Sequence, residues 1–342
     1  MSPSHSRPGR PAYDTRYLRR IFDRRATTFD EVAFLPREIS GRMRERLEYI
    51  KVSPASVLDM GCGPGDDLPN LRERFPEAPV FGTDLSFAML ERARAHDAGD
   101  TSWRRFLPAS IGRALGARGP RFAQADFAEL PFAHGAFELL WSNLALHWHP
   151  RPDLVFGEWQ RVLKVNGLLM FSTLGPDTLK ELRGAFAEVE AAHGLPTRPH
   201  IIDFVDMHDL GDMLVENGFE IPVMDQETLT VTYKTPEKLL ADVRRWGAYP
   251  FNRAFDRASD RDFLHGSDEG DQADGLASRR LHRALSAALE ARRLKDGPNA
   301  GTIPLTFEII YGHAWKAIPR TTAEGHGIVR IEDIGRGPAR NR

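Results

Sequence analysis

Apolar positions in this chain follow two alternating rhythms, and the alternation predicts the fold. Leu35, Ile39, Met43, Leu47 and Ile50 recur every three or four residues, which places them on one face of a helix. Pro36 suits that helix's first turn, and Thr28 with Glu31 has capping-box spacing. Short apolar runs follow at 56–60, 80–84, 122–125, 137–144 and 168–173, each of strand length. Between them lie helical periods. One runs through Leu68, Leu71 and Phe75, and a second, which Ser86 can cap, through Phe87, Leu90 and Ala93. A third spans about 152–164 and stops at Asn166-Gly167. Strands spaced by helices in this way imply parallel βαβ units, hence an α/β, doubly wound sheet covered on both faces.

After Gly175 the rhythm changes. Helices are predicted at 177–193, 207–217 and 236–246, strand-like pieces near 221–225 and 229–233, and a last strand at 305–311. This divides the chain into a polar leader (1–16), an N-terminal helical lid (17–50) and a core (51–240) with an insertion near 99–119. C-terminal helices and the final strand (241–320) carry a variable loop at 256–300, and a tail follows (321–342). The stretch 256–275, dominated by Asp, Arg, Ser and Gly, reads as disordered.

Composition narrows the function. The 342 residues carry a net charge of −2, which argues neither for nucleic acid nor for an anionic membrane. The one cysteine, Cys62, can form no internal disulfide and fits a reducing, cytoplasmic setting. No apolar run approaches the roughly 20 residues of a membrane span. The leader lacks the apolar segment of a secretory signal, although its Arg- and Ser-rich, acid-poor composition also suits a mitochondrial presequence.

Candidate chemistry concentrates at the first strand. It ends in Asp59 and runs into Gly61, Gly63 and Gly65, a turn that lets a ligand approach the backbone closely. The second strand ends in Asp84, followed by Leu85, where a carboxylate can accept both hydroxyls of a ribose. A dinucleotide site expects a third glycine at position 66; here Asp66 and Asp67 stand at the helix start. That acidic pair repels a pyrophosphate but suits a sulfonium and an ammonium, which points to S-adenosylmethionine (SAM). Asp126 and Phe127, after the third strand, can contact the adenine, and Asn143 and Leu144, after the fourth, lie beside the sulfonium. Taken singly, Asp84 reads as a helix-flanking acid and Asp126 as a turn residue; on successive strand ends they form a set.

These residues carry a resemblance. Val57-Leu58-Asp59-Met60-Gly61-Cys62-Gly63-Pro64-Gly65, Thr83-Asp84-Leu85-Ser86 and Leu130-Pro131-Phe132-Ala133 resemble the class I SAM-dependent methyltransferases, a Rossmann-like family. Ser142-Asn143-Leu144-Ala145-Leu146-His147-Trp148 and the stretch from Phe171 through Asp177-Thr178-Leu179 to Arg183 are similar to the BioC family, the malonyl-[acyl-carrier protein] O-methyltransferases of biotin biosynthesis. The likeness spans about 22–318, outside the two insertions. It implies a mostly parallel sheet with one antiparallel strand and helical additions at the N-terminus and after strand five. It also implies methylation of the free carboxylate of a malonyl thioester, on acyl-carrier protein or on coenzyme A, with no nucleic acid or membrane partner. His147 stands where that family often has Gln. A hydroxylase that assists complex I assembly shares the core and a similar Asp-Thr-Leu-x-Glu-Leu-Arg stretch, and another small-molecule methyltransferase is the remaining alternative.

Methyl transfer from a sulfonium is an in-line displacement. A malonyl carboxylate, with a pKa of about 4, is already ionised at neutral pH, so no general base is needed. Orientation and exclusion of water supply the rate. Candidates to receive the substrate carboxylate are Arg183, inside the narrow motif, Arg24 and Arg25 on the N-terminal segment, and His147. Phe22 and Phe29 are candidate lid residues, and Arg104, Arg105, Arg244 and Arg245 can dock an acidic carrier. His147 and His149 lack acidic or Cys companions at ligand spacing, so no metal site is expected.

Overall fold

Val57, Leu58, Asp59 and Met60 form β1 (Val57–Met60), in which every residue is buried. A strand with no polar face needs cover on both sides, and the sheet around it supplies that. The chain is described here from a computed structural model, over residues 15–100, 121–197, 200–246 and 272–318. Residues 1–14 of the leader, the insertion beyond residue 100, the stretch 247–271 and the tail after 318 lie outside them, and Arg104 and Arg105 with them.

Helix α1 (Thr15–Arg25) begins within the expected leader, and α2 (Phe34–Glu48) presents Leu35, Ile39, Met43 and Leu47 to the core as expected. The capping box does not form: Thr28 makes no side-chain cap and 29–31 is a single 3-10 turn. Next come α3 (Leu68–Arg74), β2 (Val80–Asp84), α4 (Phe87–Asp100), β3 (Phe122–Gln124) and β4 (Phe137–Ser142). Ser86 caps α4 through its Oγ, which accepts the Met89 N–H at 3.2 Å. Helix α5 (Pro152–Val162) stops before its expected end, because β5 (Leu163–Leu174) starts at Leu163 and runs on through Asn166, at φ 61°.

The second half holds α6 (Lys180–Ala192), α7 (Met207–Glu216), β6 (Phe219–Tyr233), α8 (Pro236–Trp246), α9 (Gln272–Glu290) and β7 (Ile303–Lys316). The two pieces expected near 221–233 are one strand. Its polar middle suits an edge position, where Glu227 bonds Arg42 and Asp225 bonds Arg46 at 2.6 Å, both arginines from α2. Helix α9 corrects the loop expected at 256–300: its Leu285, Ala288 and Leu289 are buried at helical spacing.

Among the described residues, seven strands form one sheet in the order β3-β2-β1-β4-β5-β7-β6. Pairing is parallel from β3 to β5, and β7 is antiparallel to both its neighbours. The chain reverses direction of travel across the sheet between β1 and β4, which opens a crevice at their carboxyl ends. One face buries Ile39, Trp141, Phe186 and Leu289; the other buries Leu58, Phe156, Trp159 and Phe171. Among the described residues no helix is long and apolar enough to cross a membrane.

Phe171 on β5 pairs with Gly312 on β7, and a Cβ at Gly312 would come within 2.4 Å of the Phe171 ring. Gly312→Ala is therefore expected to destabilise the protein by about 1–3 kcal/mol in chemical denaturation. Adding Phe171→Leu should recover part of that loss; no recovery would mean that the clash is not with Phe171.

Candidate active site

The site is assembled from the loops that leave the carboxyl ends of the parallel strands. After β1 the chain turns through Gly61, Gly63 and Gly65 at φ 71°, 53° and 87°, a region that favours glycine. The Gly61 and Cys62 N–H groups donate to the Thr83 carbonyl at 2.8 and 2.9 Å, which fixes the turn to the end of β2. A side chain at Gly61 would meet the Ala145 Cβ at 2.5 Å, and one at Gly65 the Ala93 Cβ at 3.0 Å. Gly65 thus brings α4 close, a role that a dinucleotide turn gives to its third glycine.

Asp84 lies beside this turn. Its Oδ2 accepts the Gly63 N–H at 2.9 Å and its Oδ1 the Ser86 N–H at 2.7 Å. Its carboxyl is pushed up to about 6, chiefly by burial, with the Ser86 and Gly63 N–H groups opposing the rise and the Asp23 charge adding to it. Asp59 is wholly buried, and its Oδ2 has no partner among the described residues. Burial, then the charges of Asp67 and Asp84, raises its pKa well above the usual carboxylate range.

The acidic pair at the start of α3 is more structural than the sequence suggests. Asp67 is buried and accepts bonds from Ser40 Oγ and, at 2.9 Å, from Trp141 Nε1. Asp66 pairs with Arg37 at 3.0 Å. Both still border the cleft, so their field reaches a ligand, but neither awaits one.

The cleft opens to solvent. Asp59, Gly61, Gly63, Asp84, Leu85, Asp126, Phe127, Asn143 and Leu144 all border it; Gly65 does not, being turned toward α4. Asp126 Oδ1 accepts the Ala128 N–H at 2.9 Å, which sets its carboxylate at the rim. Asn143 donates to the Pro36 carbonyl at 2.9 Å and accepts from Ser172 at 3.0 Å. Leu144 follows in the left-handed region at φ 47°.

The substrate-side candidates separate. Arg25 borders the cleft, with its guanidinium 5.4 Å from the Phe22 ring centroid and 5.6 Å from that of Trp148, and it donates to the Trp246 carbonyl at 3.1 Å. Arg24 is exposed and donates to the Arg20 carbonyl. Arg183 lies away from the cleft: it donates to the Ile201 and Ile202 carbonyls at 3.2 and 2.6 Å and sits 3.6 Å from Asp203. His147 borders the cleft, and burial pushes its pKa down to about 3. Arg245 also borders the cleft and pairs with Glu31 at 3.2 Å.

Sequence reasoning missed much of the outer wall. Val32, Leu174, Trp246 and Phe307 line it from distant parts of the chain, and no local motif marks them. It also missed Asp23, which accepts the Ser86 hydroxyl at 2.6 Å and so ties α1 to α4.

The family described as "Methyltransferase domain" matches residues 58–171. A malonyl-[acyl-carrier protein] O-methyltransferase of Laribacter hongkongensis is 41% identical over 307 residues, covering 90% of this chain and 91% of that protein. The protein of the same name from Gallionella capsiferriformans is 39% identical, with 93% and 96% covered. That from Legionella pneumophila is 35% identical, with 90% and 93% covered.

The chain belongs to the malonyl-[acyl-carrier protein] O-methyltransferase family. It is a class I SAM-dependent methyltransferase, and SAM is its methyl donor. The residues fit that group. A buried carboxyl oxygen without a partner on Asp59, close to the buried Asp67 and the half-buried Asp84, matches a ligand bearing a sulfonium and an ammonium. Asp84 keeps lone pairs that its two N–H partners leave open.

Asp84→Ala is expected to weaken SAM binding at least about tenfold by calorimetry, because charge-assisted hydrogen bonds are lost. A pH dependence follows as well. With its folded pKa near 6 against 3.8 unfolded, Asp84 adds apo stability that is complete below the unfolded value and lost as pH rises through 6. SAM favours the ionised form, so the rise in Tm that it causes should grow between pH 5 and 7.5. Asp84→Asn should remove the part centred near pH 6.

Proposed function

We propose that this enzyme methylates the free carboxylate of a malonyl group held as a thioester on acyl-carrier protein, as a step of biotin biosynthesis. The observation that carries the reading is the likeness to malonyl-[acyl-carrier protein] O-methyltransferases over about nine-tenths of both chains. The cleft has the chemistry that this reaction needs. Its inner end is acidic and backbone-lined, around Asp59, Gly63 and Asp84, and its outer end is aromatic, around Phe22, Trp148, Trp246 and Phe307.

SAM, when bound, supplies a methyl group on a positively charged sulfur, which leaves as the neutral thioether of S-adenosylhomocysteine. The substrate carboxylate oxygen forms the new bond to carbon as the carbon–sulfur bond breaks, and no proton moves. Opposite charges are cancelled in that step, so a water-poor wall favours it over the separated ions. Phe22, Leu144 and Trp148 provide such a wall. Arg25 is the cation we assign to the carboxylate; its bond to the Trp246 carbonyl and the rings of Phe22 and Trp148 fix where its charge lies. The choice of Arg25 over Arg24 and Arg183 is supported by its place in the cleft lining.

With SAM and malonyl-acyl-carrier protein, the purified enzyme should yield the methyl ester by mass spectrometry; no ester from either this substrate or malonyl-coenzyme A would sink the reading. Arg25→Gln should raise the KM for the malonyl thioester roughly 10–100-fold, the size of a lost charge-assisted hydrogen bond, while the SAM Kd stays within about twofold. The gene should also restore growth to a biotin auxotroph that lacks its methyltransferase.

A further inference from the structure

His147 sits on the single turn after β4, in the wall of the cleft, with the Trp148 ring centroid 5.2 Å away and that of Phe204 at 5.9 Å, edge-on. Phe204 does not hold its place alone. Arg183 donates to the carbonyls of Ile201 and Ile202, just before it, and lies over its ring at 5.7 Å. The motif arginine thus contacts the phenylalanine that packs edge-on against the imidazole.

The imidazole's own bonding is incomplete. Its Nδ1 is closed off from solvent with no hydrogen-bond partner among the described residues. A buried N–H without an acceptor costs more than a buried lone pair without a donor, so the proton belongs on Nε2. No described residue takes that proton, and the ring borders the cleft. The ring also stays neutral, since burial holds its pKa at about 3. Neutrality matters here, because an imidazolium would oppose a sulfonium in the same cleft.

We propose that His147 is a substrate-binding residue whose Nε2–H donates to the thioester carbonyl oxygen of the malonyl group. Arg25 and His147 both abut Trp148, one with its guanidinium and one with its ring, so the same indole is flanked by a cation for the carboxylate and a neutral donor for the second carbonyl. A diacid thioester offers both acceptors on one short unit. An ordinary fatty acyl thioester offers only the second and presents no nucleophile. The inference rests on the malonyl-thioester reading above.

The test compares wild type, His147→Leu and His147→Gln with SAM and malonyl-acyl-carrier protein. Leu keeps the bulk and loses the donor; Gln keeps a neutral N–H. The KM for the malonyl thioester should rise roughly tenfold in His147→Leu, with the SAM Kd unchanged, and return to within about threefold of wild type in His147→Gln. A wild-type KM in His147→Leu overturns the proposal, and so does a His147→Gln variant as impaired as His147→Leu. Should His147→Leu not fold, the ¹⁵N resonances of His147 in the wild-type enzyme with S-adenosylhomocysteine decide. The protonated Nε2 should shift when malonyl-acyl-carrier protein is added, and no shift overturns the assignment. A wild-type enzyme that makes no ester fails the substrate reading instead, which keeps the two failures distinct.

Discussion

Asp59 and Asp67, both buried, and the half-buried Asp84 are held together around the carboxyl end of β1, and the architecture answers to that repulsion. Like charges in a desolvated space raise one another's pKa and oppose folding unless something nearby is positive or donates hydrogen bonds. The chain supplies donors from several directions. Ser40 on α2 and Trp141 on β4 bond Asp67, while the Gly63 and Ser86 N–H groups bond Asp84. Asp59 is left with one oxygen unanswered. Helix α2, the sheet and the glycine turn are therefore bound to one another through these acids.

How much of this could be read from the sequence depends on the range of the interaction. Strands β1 to β5, the turn at Gly61–Gly65 and Asp84 lie in short segments with strong local patterns, and the sequence marks them. The antiparallel strand came from the resemblance alone. The outer wall is different: Val32, Trp246 and Phe307 meet only because the chain returns across the sheet, and pairings at such separations leave no periodicity to read. Two residues have partners that the sequence does not reveal. Asp67 is an acceptor for buried donors, and Arg183 clamps a neighbouring loop. In both cases the residue type was informative while its partner was hidden.

The cleft combines two electrostatic environments a few side chains apart. The acids favour a bound cation, and the aromatic wall denies water to an incoming anion. Between them Arg25 is positive, half-buried and held against aromatic faces. A guanidinium so placed can hold an anion through two oxygens with little reorganisation. The design asks nothing of proton transfer, in keeping with a nucleophile that arrives already ionised.

The last strand has a further consequence, for the order in which the protein can form. Because β7 stands between β5 and β6, the edge of β5 stays open until residues 303–316 are available, and β6 has nothing to pair with before then. Phe307, on that same strand, closes the outer wall of the cleft. During synthesis the parallel strands β1 to β5 can pair before then, while the wall that Phe307 completes waits for nearly the whole chain. The cleft is thus completed by contacts of long sequence separation, a constraint set by the topology of the sheet.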